Sequence, residues 1–94
     1  MHITQQTRQF ALRIIKLCQF LDNQSNITRT IAQQLLRSGT SIGANVEESQ
    51  SAESAADFIH KLSISLKEAR ETRYWILLLS ESNLVPNSAL LTIG

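Results

Sequence analysis

The chain reads as all-α, a bundle of helices. Two observations carry this. Segments at about 4–24, 28–48 and 55–81 repeat their apolar residues at helical spacing, and clusters of polar turn formers separate them. A third observation concerns the end, where Pro86 stands before an apolar stretch, NSALLTIG, too short for a helix like the others; the fourth helix is expected to be short or truncated. Ninety-four residues make one domain, 1–94, and a chain of this size buries only a modest share of its surface, so self-association is a ready source of extra stability.

The first segment places Phe10, Ile14, Leu17, Cys18 and Leu21 on one side and Arg8, Arg13 and Lys16 on the other. Leu12, Ile15 and Phe20 fall outside that stripe and would stay partly exposed in a monomer. Cys18 lies within it and reads as a small buried hydrophobe rather than a reactive thiol. The cluster DNQSNI at 22–27 forms the first turn, with Ser25 or Asn26 as the cap of the next helix.

In the second segment Ile31, Ala32, Leu35, Leu36, Gly39, Ile42, Gly43 and Val46 make a broad apolar face. Glycine inside a helix costs roughly 1 kcal/mol relative to alanine, so two on the packed face predict close approach of a neighbouring backbone. Across the stretch 37–48, RSGTSIGANVEE, the opposite face carries Arg37, Ser41 and Glu48. This helix is expected to pack on two sides, one of them through hydrogen-bonding groups.

The third segment opens with Ser54 and Asp57 at capping-box spacing, and Asp57 and Lys61 form an i,i+4 pair. One arc holds Phe58, Ile59, Leu62, Leu66, Ala69, Ile76 and Leu77 and reads as core; Arg73 falls within it and must snorkel or meet a carboxylate. The other side alternates acid with bulk through Ile64, Glu68, Glu71, Trp75, Leu78 and Leu79, which predicts a subunit contact, since aromatic residues are enriched in interfaces. Ser82 to Val85 forms the last turn, with Pro86 placed to open a further helical turn.

The net charge of +1 is too small to announce nucleic acid, but it is unevenly spread. Up to Val46 five basic residues face Asp22 alone, and from Glu47 onward four face seven acids. Either the halves pair with each other, within a chain or between copies, or Arg8, Arg13, Lys16 and Arg29 form a basic surface for RNA or DNA. The lone Cys18 excludes an intrachain disulfide, and no apolar run of about 18 residues is present, so a cytoplasmic protein without a membrane partner is expected.

No strong catalytic motif emerges. Gly39-Thr40-Ser41-Ile42-Gly43 matches the spacing of a nucleophile elbow, with Asp57 and His60 following in triad order, but the residues before Gly39 have helical rather than strand period. Glu47, Glu48, Glu68 and Glu71 with Asp57 and His60 suggest a carboxylate metal site, yet the only other histidine is His2. No cofactor is expected. The alternative to a binding module is a small enzyme or metal-binding bundle using Ser41 or these Glu and His groups.

Taken together, RSGTSIGANVEES at 37–49, ADFIHKLSISLKEARETRYWILLL at 56–79 and the preceding QQLLRS resemble the bacterial four-helix-bundle family of 23S rRNA intervening-sequence proteins. The family's Arg-Ser pair falls at Arg37 and Ser38, its Ser-Ile at Ser41 and Ile42, its Asn at Asn45 and its Glu at Glu48. Its third-helix pattern falls at Ser65, Leu66, Lys67 and Glu68, followed by Glu71, Tyr74 and Trp75. Ser49 stands where many members have glycine, and most of a fourth helix is missing. The resemblance implies an antiparallel up-and-down bundle assembling as a ring, commonly a homopentamer; related accessory proteins of diversity-generating retroelements are similar barrels that engage nucleic acid and a reverse transcriptase. On this reading Arg37 pairs with Glu48, Glu68 or Glu71 within or between subunits. Ser41, Asn45, Trp75 and Leu78 complete the expected oligomer contact.

Overall fold

The structure, a computed structural model, describes residues 2–91. Four helices follow one another: α1 (Ile3–Leu21), α2 (Asn26–Ser49), α3 (Ala55–Glu81) and the single turn α4 (Asn87–Leu90). No strand occurs among the described residues. The all-α bundle with a short fourth helix is what the periodicity predicts. The expected ending at Gly94 lies outside the described residues.

The helix starts follow their caps. Ser25 Oγ accepts the Thr28 N–H at 3.3 Å, and Ser54 Oγ accepts the Asp57 N–H at 3.1 Å, each satisfying an amide left open by the first turn. The reciprocal arm expected at Ser54 lands one residue earlier, where Asp57 Oδ2 accepts from the Glu53 N–H at 3.3 Å. Pro86 occupies the N-cap of α4 rather than its first turn. At the far end of α3 the chain reverses through Asn83, with φ of 60°, a left-handed conformation that asparagine tolerates better than most residues. Where relatives of the resembled family carry glycine, Ser49 stays right-handed inside α2, buried, donating its hydroxyl to the Val46 carbonyl at 2.6 Å.

The two helical glycines act as the sequence suggests. A Cβ on Gly39 would sit 2.9 Å from both Cγ1 and Cγ2 of Ile14, and one on Gly43 would sit 3.3 Å from the Thr7 carbonyl oxygen. Both positions therefore let α1 lie close on α2. Ile14, Leu17, Cys18 and Leu21 then meet Ala32 and Leu35 in a core that Leu79 and Val85 close from α3 and the last turn. Leu12, Ile15 and Phe20 are left exposed, as expected for residues off the main stripe.

The phase of α3 differs from the expectation. Its buried residues are Ser65, Thr72 and Leu79, while Ile59, Leu66 and Leu77 of the expected core arc are exposed. The cause lies in the seam with α2. Ser65 Oγ donates to the Ile42 carbonyl at 2.9 Å, and Thr72 Oγ1 lies 2.9 Å from Ser38 Oγ and 2.8 Å from the Glu68 carbonyl. Small hydroxyl side chains bring two backbones close and satisfy each other, so a polar stripe becomes the buried one.

Extents of 44 × 22 × 18 Å match a bundle one helix long, since 27 residues of α3 span about 40 Å. The accessible surface of 6098 Å² exceeds the ~5,400 Å² expected of a compact monomer of this mass.

Candidate interaction surface

Arg37 precedes Ser38 on α2, and Glu68 and Glu71 lie one turn and one residue before Thr72 on α3. The Ser38 to Thr72 contact therefore delivers the guanidinium to both carboxylates. Arg37 Nη1 reaches Glu68 Oε1 at 3.3 Å, Nη2 donates to Glu71 Oε2, and Nε donates to Gln34 Oε1 at 3.2 Å. Glu71 Oε2 also accepts the Trp75 indole N–H at 2.9 Å, and the Tyr74 ring stands edge-on to Trp75 with centroids 5.4 Å apart. One carboxylate thus fixes a cation and an aromatic ring at once. The patch is half in water: Arg37 is 48% exposed and Glu68 17%.

Of the eight residues expected at an oligomer contact, Arg37, Glu68, Glu71 and Trp75 are brought together. Ser41 donates to the Arg37 carbonyl at 2.6 Å and Asn45 Nδ2 to the Ser41 carbonyl at 2.8 Å, extending the ladder along α2. Leu78 is half-buried, two residues beyond Ile76, which packs against the core, and next to the exposed Leu77. Trp75 itself packs partly against the core. Glu48 stands apart, eleven positions from Arg37 and about 16 Å along the helix, and takes Lys61 Nζ at 3.2 Å. Lys61 is thereby turned from its expected partner Asp57.

The four basic residues expected to meet nucleic acid do not form one stripe. Arg8 is paired with Glu47 at 2.9 Å and Arg29 with the Asn26 side chain. Arg13 and Lys16 are exposed, with no ion pair among the described residues. Lys67, Arg70 and Arg73, which the pattern of charge along the chain does not mark as a basic surface, are exposed on α3 and likewise without an ion-pair partner among the described residues. Summing charge by halves hid them among the acids of the same helix. Arg73 resolves by reaching solvent, not a carboxylate.

The nucleophile-elbow spacing lies within a continuous helix. Because Ile42 is level with Ser65, the Ser41 hydroxyl is about 7 Å or more along the bundle from His60 and farther from Asp57. Glu47, Glu48, Glu68 and Glu71 each hold a basic side chain, and no group of three or more His, Cys, Asp or Glu suited to a metal occurs among the described residues. Burial pushes the Cys18 thiol up to about 11, and its Sγ lies 3.4 Å from the Ala32 carbonyl as a donor, so it stays protonated. No helix of the described residues is long and apolar enough to cross a membrane.

The comparisons bear on what this fold is. A crystal structure of a protein of unknown function from the S23 ribosomal protein family of Bacteroides thetaiotaomicron superposes with a TM-score of 0.88 at 43% identity, covering 98% of this chain and 84% of that one. A search of curated proteins finds no match. The family described as 23S rRNA-intervening sequence protein matches residues 1–93. A match over nearly the whole length, with the same helical fold at 43% identity, means that the chain belongs to the 23S rRNA-intervening sequence protein family.

Proposed function

We propose that the protein is a non-enzymatic binding and assembly module whose copies associate through the outer face of α2 and α3. The observation that carries this is the fixed patch of Arg37, Glu68, Glu71 and Trp75, with Tyr74 beside it 54% exposed. Ordering these side chains in advance lowers the entropy cost of docking, and Trp, Tyr and Arg are the residues that anchor interfaces. The surface excess over a compact monomer and the exposed Leu12, Ile15 and Leu36 on α1 and α2 fit the same reading. A closed ring, the pentamer implied by the family resemblance, is the arrangement proposed.

Light scattering coupled to size exclusion tests it. The unmodified protein is expected as one species of several chains, and Tyr74→Ala and Trp75→Ala as smaller ones. Tyr74 serves as the control for folding because it is exposed, whereas Trp75 also packs on the core. A monomer for the unmodified protein sinks the proposal.

A second reading, RNA or DNA held by the family's bundle, is favoured by Arg13 and Lys16 being exposed and outside any ion pair. Retention of a structured RNA at low salt that falls steeply as salt rises would support it, and no retention would remove it. The enzyme or metal alternative is tested by the metal content of the purified protein, where a stoichiometric metal would support it.

A further inference from the structure

The outward side of α3, opposite the buried Ser65, Thr72 and Leu79, carries Lys67, Arg70, Tyr74, Leu77 and Glu81. Their alternating steps of three and four residues make one continuous ridge. All five are exposed, and the three charged ones have no ion-pair partner among the described residues. Tyr74 and Leu77 form an apolar middle, with two cations at one end and a carboxylate at the other.

The outer side of α1 against α2 is a groove with two hollows. One of about 220 Å³ is lined chiefly by Ile15, Cys18, Arg29, Ala32 and Leu36. The other, of about 230 Å³, is lined by Ala11, Thr40, Gly43 and Ala44 beside the pair of Arg8 and Glu47. Small side chains on α2 make these depressions, and no residue of α4 lines either. The α2 bank repeats the spacing of the ridge through Arg29, Gln33, Leu36, Thr40, Gly43 and Glu47.

Ridge and groove match in height and charge. α2 and α3 run antiparallel, with Ser38 against Thr72, so positions equally far before Ser38 and after Thr72 stand at one height to within about a turn. Tyr74 is thereby level with Leu36, and Ile15 joins them, because its neighbour Ile14 packs on Gly39. Glu81, nine positions after Thr72, is level with Arg29, nine before Ser38. Lys67 is level with Gly43, about one turn from Glu47. Arg29 near the start of α2 and Glu81 at the end of α3 each oppose the dipole of their own helix, and neither has an oppositely charged partner among the described residues.

We propose that the α3 ridge of one copy seats in the α1 and α2 groove of a second copy, the two bundles side by side and pointing the same way. This rests on the reading that copies associate, and it names the surface that Tyr74 meets. The Tyr74 ring enters the hollow beside Leu36 and Ile15, Glu81 pairs with Arg29, and Lys67 reaches Glu47. Groove against groove would leave the hollows facing each other, whereas a ridge fills them. Because the two surfaces differ, every copy offers a ridge to one neighbour and a groove to another.

The test is cross-linking of the full chain by a short bis-maleimide in a Cys18→Ala background, with helicity and assembly of each variant checked first. Thr40 and Arg70 are level across the proposed contact but on opposite sides of one chain. Mixed Thr40→Cys and Arg70→Cys chains are expected to give a cross-linked pair, and each variant alone to give none. Arg29→Glu and Glu81→Arg are each expected to weaken assembly about tenfold by light scattering, and the two together to restore it. An oligomer that gives neither the mixed product nor the rescue overturns this contact and leaves association standing. Cross-linking of either variant with itself also overturns it, by placing groove on groove or ridge on ridge. A monomeric unmodified protein removes association and this contact together.

Discussion

At the scale of single residues, Gly39 shows packing outweighing propensity. Alanine in its place would gain roughly 1 kcal/mol of helix propensity, but the added methyl would lie 2.9 Å from two carbons of Ile14, which is fully buried and cannot swing away. Overpacking of this kind costs typically 1–3 kcal/mol. Gly39→Ala is therefore expected to destabilise by about 1 kcal/mol, and urea melts of the double variant with Ile14→Ala should show that the two changes are not additive. Cys18 gives the second residue-scale prediction. Its pKa is raised from 9.0 to about 11 by burial, so the folded state holds the proton more tightly than the unfolded chain. The stabilisation this brings is complete below pH 9 and is lost as pH rises through 11. Compared with Cys18→Ala, the native protein should lose stability selectively between pH 9 and 11, and its thiol should resist a disulfide reagent at pH 8 until the fold is unfolded. Rapid labelling of the folded protein at pH 8 would refute the buried, protonated thiol.

Between elements, the seam of α2 with α3 separates what was readable from what was not. Helix limits came through because caps are local chemistry: Ser25 and Ser54 bond amides three residues on, and that spacing is visible in the chain. The inward face of α1 came through because its stripe is purely apolar. The face of α3 did not, because Ser65 and Thr72 bury hydroxyls whose partners, the Ile42 carbonyl and Ser38 Oγ, lie on another helix. A polar residue reads as surface until its partner is known. Arg37 with Glu68 and Glu71 was anticipated, whereas Lys61 turning from Asp57 to Glu48 was not, since it depends on how α2 and α3 pack. Thr72→Val keeps the shape but removes the hydroxyl that Ser38 meets, and should cost about 1–2 kcal/mol; Ser38→Ala/Thr72→Val should cost less than the sum of the two single changes, because no unsatisfied buried hydroxyl remains. Arg37→Ala, at a half-exposed ion pair, should cost no more than about 1 kcal/mol of folding. A larger loss for Arg37→Ala than for Thr72→Val would invert this ranking of seam over ion pair.

The whole molecule is one helix long and about half that wide, with more surface than its mass requires. If its faces meet other copies, folding and assembly share one equilibrium, and stability must depend on concentration. A hundredfold rise in chain concentration is worth about 2.7 kcal/mol per association step. Divided between two chains and set against roughly 4–8 °C per kcal/mol for a domain of this size, that is a rise in melting temperature of several degrees. The unmodified protein is expected to show this shift in calorimetry, and Tyr74→Ala to flatten it. X-ray scattering offers an independent reading: a lone chain would give a radius of gyration near the 14.2 Å of its Cα trace, and an assembly a value well above it. A concentration-independent melting temperature together with the smaller radius would mean that the exposed leucines and the Trp75 patch serve a solitary bundle.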